Sequence, residues 1–363
     1  MHLYVHIPFC LRICPYCAFY KHMLGRTDLE GFVRAVAAEA RLRLPQGYAP
    51  ETIYFGGGTP SLLSPKHLDI LVDGLKEVVD FTRVREWSFE SNPATFTTAK
   101  AEQWAKLGIT RVSLGAQSFE PELLKLLGRT HSPQQIEQSV AMLRAAGIPQ
   151  VNIDLMFSLP GQSLAQWQHT LECAIAQQPD HVSTYNLTYE EDTAFFDTFG
   201  AEANDEDTDV AMFTMADELL TRAGYRHYEI SNFAYDGKIS HHNLACWRGE
   251  DYYGLGPGAY GTINGTRYRN TEDTSAYITA LKEGHLPEHS SESISPEDRR
   301  TELLGLRLRT DEGLPPELLR PQDKGLVEML IQEELATLRA DGSLLLTLRG
   351  RLLADEIAVQ LLG

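Results

Sequence analysis

Three cysteines stand close together near the start of the chain, in the segment CLRICPYC. They are Cys10, Cys14 and Cys17, and the other two cysteines lie far along the sequence. Thiolates this close can surround one compact centre, and soft sulfur ligands favour zinc or an iron–sulfur cluster. A structural zinc ion takes four protein ligands, so it would have to recruit His6 or His22. If three thiolates instead hold three irons of a 4Fe–4S cube, the fourth iron keeps a coordination position open for a small molecule.

The composition is that of a globular protein, and its charge disfavours polyanionic partners. The chain has 363 residues, of which 43% are hydrophobic and 23% charged, and its formal net charge is −18. Nucleic acid would therefore be repelled by the molecule as a whole. No apolar run approaches the roughly 20 residues of a membrane span, and the first residues lack the pattern of a signal peptide. We expect a cytoplasmic protein whose cysteines bind a metal rather than form disulfides.

Strand-like and helical patterns alternate along the first two thirds of the chain. Serine–proline pairs mark helix starts at Ser64–Pro65, Ser132–Pro133 and Ser295–Pro296, because serine can cap a helix and proline fits its first position. The alternation predicts an α/β fold with a parallel sheet covered by helices, and six repeats are visible. In a barrel, the cysteine segment would then follow the first strand at the mouth where active sites are built. The six strand-like segments are LYVHIP, TIYFGGG, EWSFESNP, RVSLGAQS, QVNIDLMFSLP and HVSTYNLTYE.

The last third of the chain has a different pattern. The segment HHNLACWRGEDYYGLGPGAYG is too rich in glycine and aromatic residues to form one regular element, so we interpret it as a functional loop region. After Ser295, helical patterns and the apolar strand SLLLTL indicate a small winged-helix-like module. The residues from 321 onwards carry four basic and seven acidic side chains, which disfavours DNA reading. We predict a barrel domain over 1–235, a connecting segment over 236–290 and a C-terminal domain over 291–363.

Polar residues and glycines recur where the predicted strands end. One such residue alone would be read as a helix cap, a surface group or a buried ion pair. Several at the same edge of a parallel sheet predict a ligand site instead, because strand-end polarity is typical of catalytic and binding residues in barrels. The residues concerned are Gly57, Gly58, Thr59, Glu90, Gln117 and Asp154, with Arg129 on a following connection.

The cysteine motif after YVHIPF resembles the radical S-adenosylmethionine superfamily, and specifically its coproporphyrinogen dehydrogenase and HemW branch, over essentially the whole chain. The resemblance implies a partial (β/α)6 TIM-like barrel with a small winged-helix-like C-terminal domain. It also implies a 4Fe–4S cluster, held by Cys10, Cys14 and Cys17, whose open iron is chelated by the amine and carboxylate of S-adenosylmethionine. By the same resemblance, one molecule of this cofactor contacts Tyr4, Gly57 and Glu90, and a second-molecule pocket is lined by Tyr16, Gly58, Thr59, Gln117, Arg129 and Asp154.

Two further features resemble the HemW side of the branch. The dehydrogenase pattern CxxxCxxCxC has a fourth cysteine where this chain has Phe19, and HHNLACW resembles the haem-binding motif HNLxYW, with Cys246 in place of the tyrosine. The resemblance implies His242 as the haem ligand, while His241 is an equally placed competitor. A thiol four residues from the imidazole of His242 would share its face in a helix, and haem iron accepts either ligand. The alternative is a structural histidine beside a Trp247 that fills the barrel.

Three functions remain open on these residues. The first is a HemW-type protein that binds haem and delivers it to an acceptor protein, with the cluster and S-adenosylmethionine assisting and an electron donor protein as a further partner. The second is oxygen-independent oxidative decarboxylation of coproporphyrinogen III to protoporphyrinogen IX. The third is a zinc-stabilised barrel that acts as a binding module. Cys173 lies in an apolar helical pattern, and we expect it to be packed in the core.

Overall fold

The protein was analysed as a computed structural model that describes residues 1–25, 27–200 and 205–363. Its strands are β1 His2–Ile7, β2 Phe9–Cys10, β3 His22–Met23, β4 Thr52–Gly57, β5 Glu86–Ser91, β6 Arg111–Gln117, β7 Gln150–Phe157, β8 His181–Asn186, β9 Arg226–Glu229, β10 Asn232–Ala234, β11 Tyr252–Leu255, β12 Tyr260–Ile263, β13 Thr266–Asn270, β14 Glu288–Ser293, β15 Ala336–Leu338 and β16 Leu344–Leu346.

The helices cover the sheet and build the C-terminal part. They are α1 Leu29–Arg43, α2 Pro65–Lys76, α3 Thr98–Leu107, α4 Pro121–Leu126, α5 Pro133–Ala145, α6 Leu164–Ala176, α7 Ala194–Phe199, α8 Glu206–Arg222, α9 His241–Trp247, α10 Thr274–Lys282, α11 Pro296–Leu308, α12 Lys324–Gln332, α13 Leu348–Leu352 and α14 Ala354–Gln360. The serine–proline starts are confirmed at α2 and α11, where Ser64 and Ser295 accept backbone N–H groups of the first turn.

Six parallel strands form the wall of the barrel in the order β1, β4, β5, β6, β7, β8, which confirms the six predicted repeats. Beyond β1, strand β11 continues the parallel pairing, and β12, β13 and β14 follow as antiparallel strands. Beyond β8, the antiparallel strands β10 and β9 complete the sheet. Since β14 and β9 are its two ends in the described part of the chain, the barrel is partial, as predicted.

The barrel strands alternate between an apolar face and a polar face. In β4 and β5, the side chains of Ile53, Phe55, Trp87 and Phe89 are fully or almost fully buried in the main apolar core with the covering helices. Successive strand residues point to opposite sides, so the intervening residues face the barrel interior. These interior residues are polar, aromatic or small: His2, Tyr4 and His6 of β1, Thr52 and Tyr54 of β4, Glu86, Ser88 and Glu90 of β5, Arg111, Ser113 and Gly115 of β6, and Asn152 and Asp154 of β7.

The segment that we interpreted as a loop region is more regular than that interpretation. It contains helix α9, strand β11 and the first residues of β12, so only its division into several elements was predicted. Ser240 caps α9 by accepting the N–H of Asn243. Gly256 then turns the chain with a φ of +100°, and a Cβ there would lie 2.4 Å from the carbonyl oxygen of His6. The glycines of this segment thus separate short elements rather than loosen a long loop.

The C-terminal part has an apolar core of its own. Helices α11, α12 and α14 and the antiparallel hairpin β15–β16 contribute Leu304, Leu308, Leu330, Leu344 and other buried side chains to it. Its likeness to a winged helix and the division of the chain at residues 236 and 291 stay predictions, and β14, at 288–293, pairs with β13 of the large sheet. Within residues 1–25, 27–200 and 205–363, no helix is both long and apolar enough to cross a membrane.

Candidate functional site

A first cavity of about 450 Å³ opens where β4 to β8 end. Parallel strands bring their carboxyl ends to one edge, so residues that are distant in sequence meet there. Of the residues that the sequence singled out, those that line this cavity are Cys10, Cys14, Tyr16, Cys17, Gly57, Gly58, Thr59, Glu90, Gln117, Arg129 and Asp154. Tyr4 and His242, which the resemblance also implied as contacts, line a neighbouring cavity instead.

The cysteine loop is fixed at both ends by backbone hydrogen bonds. Strands β2 and β3 pair in parallel, and the N–H of Leu24 donates to the carbonyl of Cys10 at 3.1 Å. All three thiols are free and partly buried. Burial raises the pKa of the Cys10 and Cys17 thiols, while the positive charges of Arg129 and Lys21 act in the opposite direction. The loop therefore presents three soft donors to one cavity beside positive charge that stabilises thiolates, and this donor set fits an iron–sulfur cluster.

The two histidines that a zinc site would recruit are hydrogen-bonded elsewhere. His6 contacts the Tyr4 hydroxyl through Nδ1 and the carbonyl of Tyr20 through Nε2, both at 2.9 Å. His22 contacts Thr274 Oγ1 at 2.9 Å and the carbonyl of Met23. Across the described ranges, no three His, Cys, Asp or Glu side chains are gathered as ligands of one metal ion. Among the described residues, the three thiols therefore line one cavity, and neither His6 nor His22 lines it with them.

The glycine segment after β4 lies directly against the base of the cysteine loop. The N–H of Gly58 donates to the carbonyl of Ile7 at 2.8 Å, and the N–H of Thr59 donates to the carbonyl of Phe9 at 2.8 Å. A Cβ on Gly58 would lie 2.7 Å from the backbone of Pro8 and Phe9. A side chain there would push the two segments apart, so this approach requires glycine.

Glu90 connects the glycine segment to the barrel interior. Its carboxylate accepts the N–H of Gly57 at 3.0 Å and the hydroxyl of Tyr54 at 2.7 Å. Burial, together with the nearby charge of Asp154, raises the pKa of Glu90 to about 7. Burial also raises the pKa of Asp154, which accepts hydrogen bonds from Ser113 and Asn152. Buried carboxyl groups with pKa values raised in this way are typical of functional sites.

Within the described residues, Arg129 and Gln117 each have a buried polar atom without a hydrogen-bond partner. One guanidinium nitrogen of Arg129 donates to Asn92 Oδ1 at 2.9 Å, but its Nε has no acceptor in the described part of the chain. The Oε1 of Gln117 likewise has no donor there. Gln117 follows a register shift in β6 and has a φ of +68°, as in bulges that redirect a side chain. An arginine donor and an amide acceptor on one cavity wall fit a ligand with carboxylate and hydroxyl groups.

A second cavity, of about 460 Å³, lies on the other side of Tyr54. Tyr54 lines both cavities, together with Ala18 and Phe19 of the cysteine loop. The side chain of Phe19 is 72% exposed. The remaining wall of the second cavity is rich in aromatic rings and is formed by Tyr4, His6, Tyr20, His242, Asn243, Cys246, Tyr252, Gly258, Ala259, Tyr260, Arg269 and Glu272.

Helix α9 carries His242 and is held against the beginnings of the barrel strands. The carboxylate of Glu86 accepts the N–H groups of His241 at 2.9 Å and of His242 at 3.0 Å. The Nδ1 of His242 contacts Thr52 Oγ1 at 2.7 Å, and its ring lies 5.0 Å from that of Tyr54. Burial lowers the pKa of His242 to about 3, so the imidazole is neutral. Among the described residues, its side chain is hydrogen-bonded through Nδ1 and not through Nε2, and it lines the second cavity.

The other candidate ligands of α9 have different surroundings. His241 is half-buried, and its Nε2 accepts from Arg85 at 2.9 Å outside both cavities. Cys246 does line the second cavity with His242, and α9 spans both residues, as their spacing indicated. Although Cys246 is open to the cavity, the surrounding protein displaces water and raises the thiol pKa to about 11. Trp247 bonds with the buried Glu229 and does not line either cavity.

Sequence reasoning missed Thr52, Tyr54 and Arg269, and it considered Cys173 only as core. Thr52 and Tyr54 alternate along β4 with the buried Ile53 and Phe55, so the strand period could have placed them in the interior. No local pattern indicated Arg269. Cys173 packs against the main core, as expected, and its Sγ also lies 3.4 Å from the Nε2 of a neighbouring histidine on α6.

Comparison with known proteins agrees with this geometry. The family model described as the Radical SAM superfamily matches residues 4–174. The structure reported under the words "Coproporphyrinogen III oxidase (HemN) from Escherichia coli is a Radical SAM enzyme" has a TM-score of 0.82 and 21% identity, covering 98% of this chain and 88% of that one. The likeness to this structure shows the shared fold, and the residues matched by the family model include the three cysteines. The Radical SAM class implies a 4Fe–4S cluster and S-adenosylmethionine.

Curated relatives define the family more narrowly. The heme chaperone HemW of Bacillus subtilis is 31% identical over 99% of this chain and 98% of the relative. The heme chaperone HemW of Mycobacterium tuberculosis (strain CDC 1551) is 35% identical over 99% of this chain and 94% of the relative. The chain belongs to the HemW family.

Proposed function

We propose that this chain binds haem in the second cavity and passes it to an acceptor protein, while the first cavity holds the cluster and S-adenosylmethionine. The relatives named heme chaperone HemW support this function. The observation that carries it is the position of His242, whose neutral imidazole lines an aromatic cavity next to the cysteine cavity, with the ring of Tyr54 in the wall of both.

The second cavity suits a large, flat and mostly apolar ligand. Its volume of about 460 Å³ lies within the range of cavities that hold small molecules, and such sites combine apolar walls with a few polar groups. Tyrosine rings supply the walls, and a neutral imidazole is a common ligand of haem iron. Cys246 lies one helical turn from His242, but its raised thiol pKa keeps the sulfur protonated and makes it the weaker ligand.

Arg269 offers a partner for the carboxylates at the edge of a haem. Its guanidinium lies 5.1 Å from the centre of the Tyr260 ring and pairs with Glu272. Its Nε is buried and has no acceptor in the described part of the chain. A carboxylate that enters the cavity could accept from this nitrogen, since arginine binds carboxylates through paired N–H groups. We therefore assign Arg269 to a propionate of the haem.

In the first cavity, the residues of this chain act by holding and orienting. Cys10, Cys14 and Cys17 would bind the cluster, which when bound offers an iron without a protein ligand at which S-adenosylmethionine can coordinate. The carboxylate of Glu90 is placed to accept an amine N–H, and the free Nε of Arg129 is placed to donate to a carboxylate. An electron donor protein would be a further partner if this cluster is reduced.

Titration with haem tests the proposal. After anaerobic reconstitution of the cluster, binding to the wild-type protein should shift the Soret band of haem. His242→Ala should abolish or strongly weaken that shift. His241→Ala is the matched control, because it removes the adjacent imidazole that faces Arg85. We expect this control to bind haem like the wild type. A wild-type spectrum in His242→Ala would overturn the assignment of the ligand.

Delivery requires a second measurement. Haem-loaded protein, mixed with a haem-free globin as a generic acceptor, should transfer its haem faster than the haem dissociates into buffer. The reconstituted protein should leave coproporphyrinogen III unchanged in the presence of S-adenosylmethionine and a reductant. Formation of protoporphyrinogen IX would replace the proposed function with the oxidative decarboxylation.

A further inference from the structure

We infer that Thr52, His2 and Glu250 form a hydrogen-bonded relay that places the ring proton of His242 on Nδ1 and leaves the lone pair of Nε2 directed to the second cavity. The inference rests on the proposed function, because it assigns positioning residues to the proposed haem ligand. These three residues are not next to one another in sequence. They meet because α9 and the turn after it lie against the first residues of β1 and β4.

The relay is continuous and short at each step. The Nδ1 of His242 lies 2.7 Å from Thr52 Oγ1, and the same hydroxyl oxygen lies 2.9 Å from Nδ1 of His2. The Nε2 of His2 lies 3.0 Å from a carboxylate oxygen of Glu250. The second carboxylate oxygen of Glu250 lies 3.5 Å from Arg248. Each distance joining the relay residues is within the range of a good hydrogen bond.

The carboxylate sets the direction of the relay. An ionised carboxylate can only accept, so Nε2 of His2 is the donor, and when the His2 ring carries this one proton its Nδ1 accepts from the hydroxyl of Thr52. A hydroxyl has one hydrogen, so the Thr52 oxygen then accepts from Nδ1–H of His242. A neutral imidazole carries one ring proton. Nε2 of His242 therefore carries no proton, and its lone pair is available to bind a metal.

Burial protects this arrangement from water. His2, Thr52 and His242 are 3%, 0% and 5% exposed, and buried hydrogen bonds are stronger and better oriented than exposed ones. The backbone of α9 is held separately by Glu86. Removal of the Thr52 hydroxyl should therefore free the imidazole ring of His242 without releasing the helix that carries it. Groups that orient a ligating histidine in this way typically contribute a factor of about 10 to 100 in affinity.

Thr52→Val and Thr52→Ser test the relay as a matched pair. Valine keeps the shape of threonine and removes the hydroxyl, whereas serine keeps the hydroxyl. We expect Thr52→Val to weaken haem binding by about tenfold or more and to broaden or shift the Soret band. Thr52→Ser should restore the wild-type affinity and spectrum. Equal affinities for the valine variant and the wild type would overturn the inference.

A measurement without haem separates this inference from the proposed function. Nitrogen-15 NMR of the haem-free protein should show His242 protonated at Nδ1 in the wild type and in Thr52→Ser, and a mixture of both ring forms in Thr52→Val. If the wild type is protonated at Nε2, the relay is wrong even if haem binds. If the tautomers agree but haem produces no Soret shift in the wild type, the proposed function fails and the relay stands.

Glu250→Ala provides a second variant in case the buried valine prevents folding. Glu250 is 36% exposed on its side chain, so its removal disturbs the core less. Loss of the carboxylate removes the group that fixes the donor order, and we expect both tautomers of His242 to appear in the NMR spectrum. A single Nδ1–H form in Glu250→Ala would show that the carboxylate does not direct the relay.

Discussion

The two cavities share the ring of Tyr54 but are built from different chemistry. The first gathers thiols, carboxylates, an arginine and glycines from the ends of the barrel strands. The second gathers tyrosines from strands together with an imidazole and a thiol from α9. A site for a charged cofactor needs oriented polar groups, whereas a site for a large apolar ligand needs surface area and one strong donor. One barrel thus has two adjacent cavities of different chemistry, although Ala18, Phe19 and Tyr54 line both of them.

The largest expected effect separates the two cavities completely. Cys14→Ala should reduce the reconstituted iron content from about four per chain to nearly none, because three thiolates are needed to hold the cluster. The Soret shift caused by haem should persist, since His242 lines the other cavity. Iron analysis and haem titration of the same sample check both outcomes. Cys173→Ala, far from the loop, should keep both properties, and a colourless protein that retains one zinc would refute the cluster.

A pH-dependent effect sharpens the polar character of the first cavity. The pKa of Glu90 is raised from its ordinary 4.5 to about 7 by burial and by Asp154. The folded state therefore holds the proton more tightly than the unfolded state, and this contribution to stability is present at low pH and lost as pH rises through 7. Between pH 5 and 8, the titration of Glu90 should lower the free energy of unfolding of the wild type by about 3 kcal/mol.

Glu90→Gln removes this titration. The free energy of unfolding of Glu90→Gln, relative to the wild type, should rise between pH 5 and pH 8 by about 3 kcal/mol. Urea unfolding of the cluster-free chain at both pH values measures the difference. Glu102→Gln, at an exposed residue of α3, serves as the control. Its free energy of unfolding relative to the wild type should change little between the two pH values. Parallel curves for Glu90→Gln and the wild type would contradict the raised pKa.

The proposed propionate contact predicts an effect of about tenfold in the second cavity. Arg269→Met should weaken haem binding by that factor, because a charge-assisted hydrogen bond contributes about 1.5 kcal/mol or more. Haem dimethyl ester, which lacks the carboxylates, should bind the variant and the wild type equally. Arg267→Met is a matched control on the same strand, where Arg267 pairs with Glu302. An equal loss for the ester would assign Arg269 to packing instead.

The smallest expected effect concerns Tyr54, whose ring lines both cavities. Tyr54→Phe keeps the ring beside His242 and removes only the hydroxyl that donates to Glu90 at 2.7 Å. Loss of this bond, about 1 kcal/mol, should weaken S-adenosylmethionine binding about fivefold and leave haem affinity within about twofold. Tyr252→Phe, at a residue that lines the second cavity and not the first, should leave cofactor binding unchanged. A larger loss for haem than for the cofactor would show that the hydroxyl serves the second cavity.

Much of the first cavity could be predicted from sequence because topology alone assembles it. Glu90 and Gln117 lie at the ends of parallel strands, which meet at one edge of the sheet, as predicted. The prediction that Asp154 lies at the end of a strand was wrong, because Asp154 lies within β7, three residues before its end, although it lines the same cavity. The second cavity depends on packing that no local pattern encodes. Thr52 and His242 are 190 residues apart and meet only because α9 is fastened to Glu86 at the start of β5. Arg269 reaches the same cavity from an added antiparallel strand, and strand patterns do not indicate which edge such a strand joins.

The anchored cysteine loop contributes to the walls of both cavities. Phe19 lies two residues after Cys17, in the segment between the paired strands β2 and β3, and it lines both cavities. The three cysteines and part of the wall of the second cavity therefore belong to one short segment whose two ends are paired. Any movement of this segment would change the walls of both cavities at once.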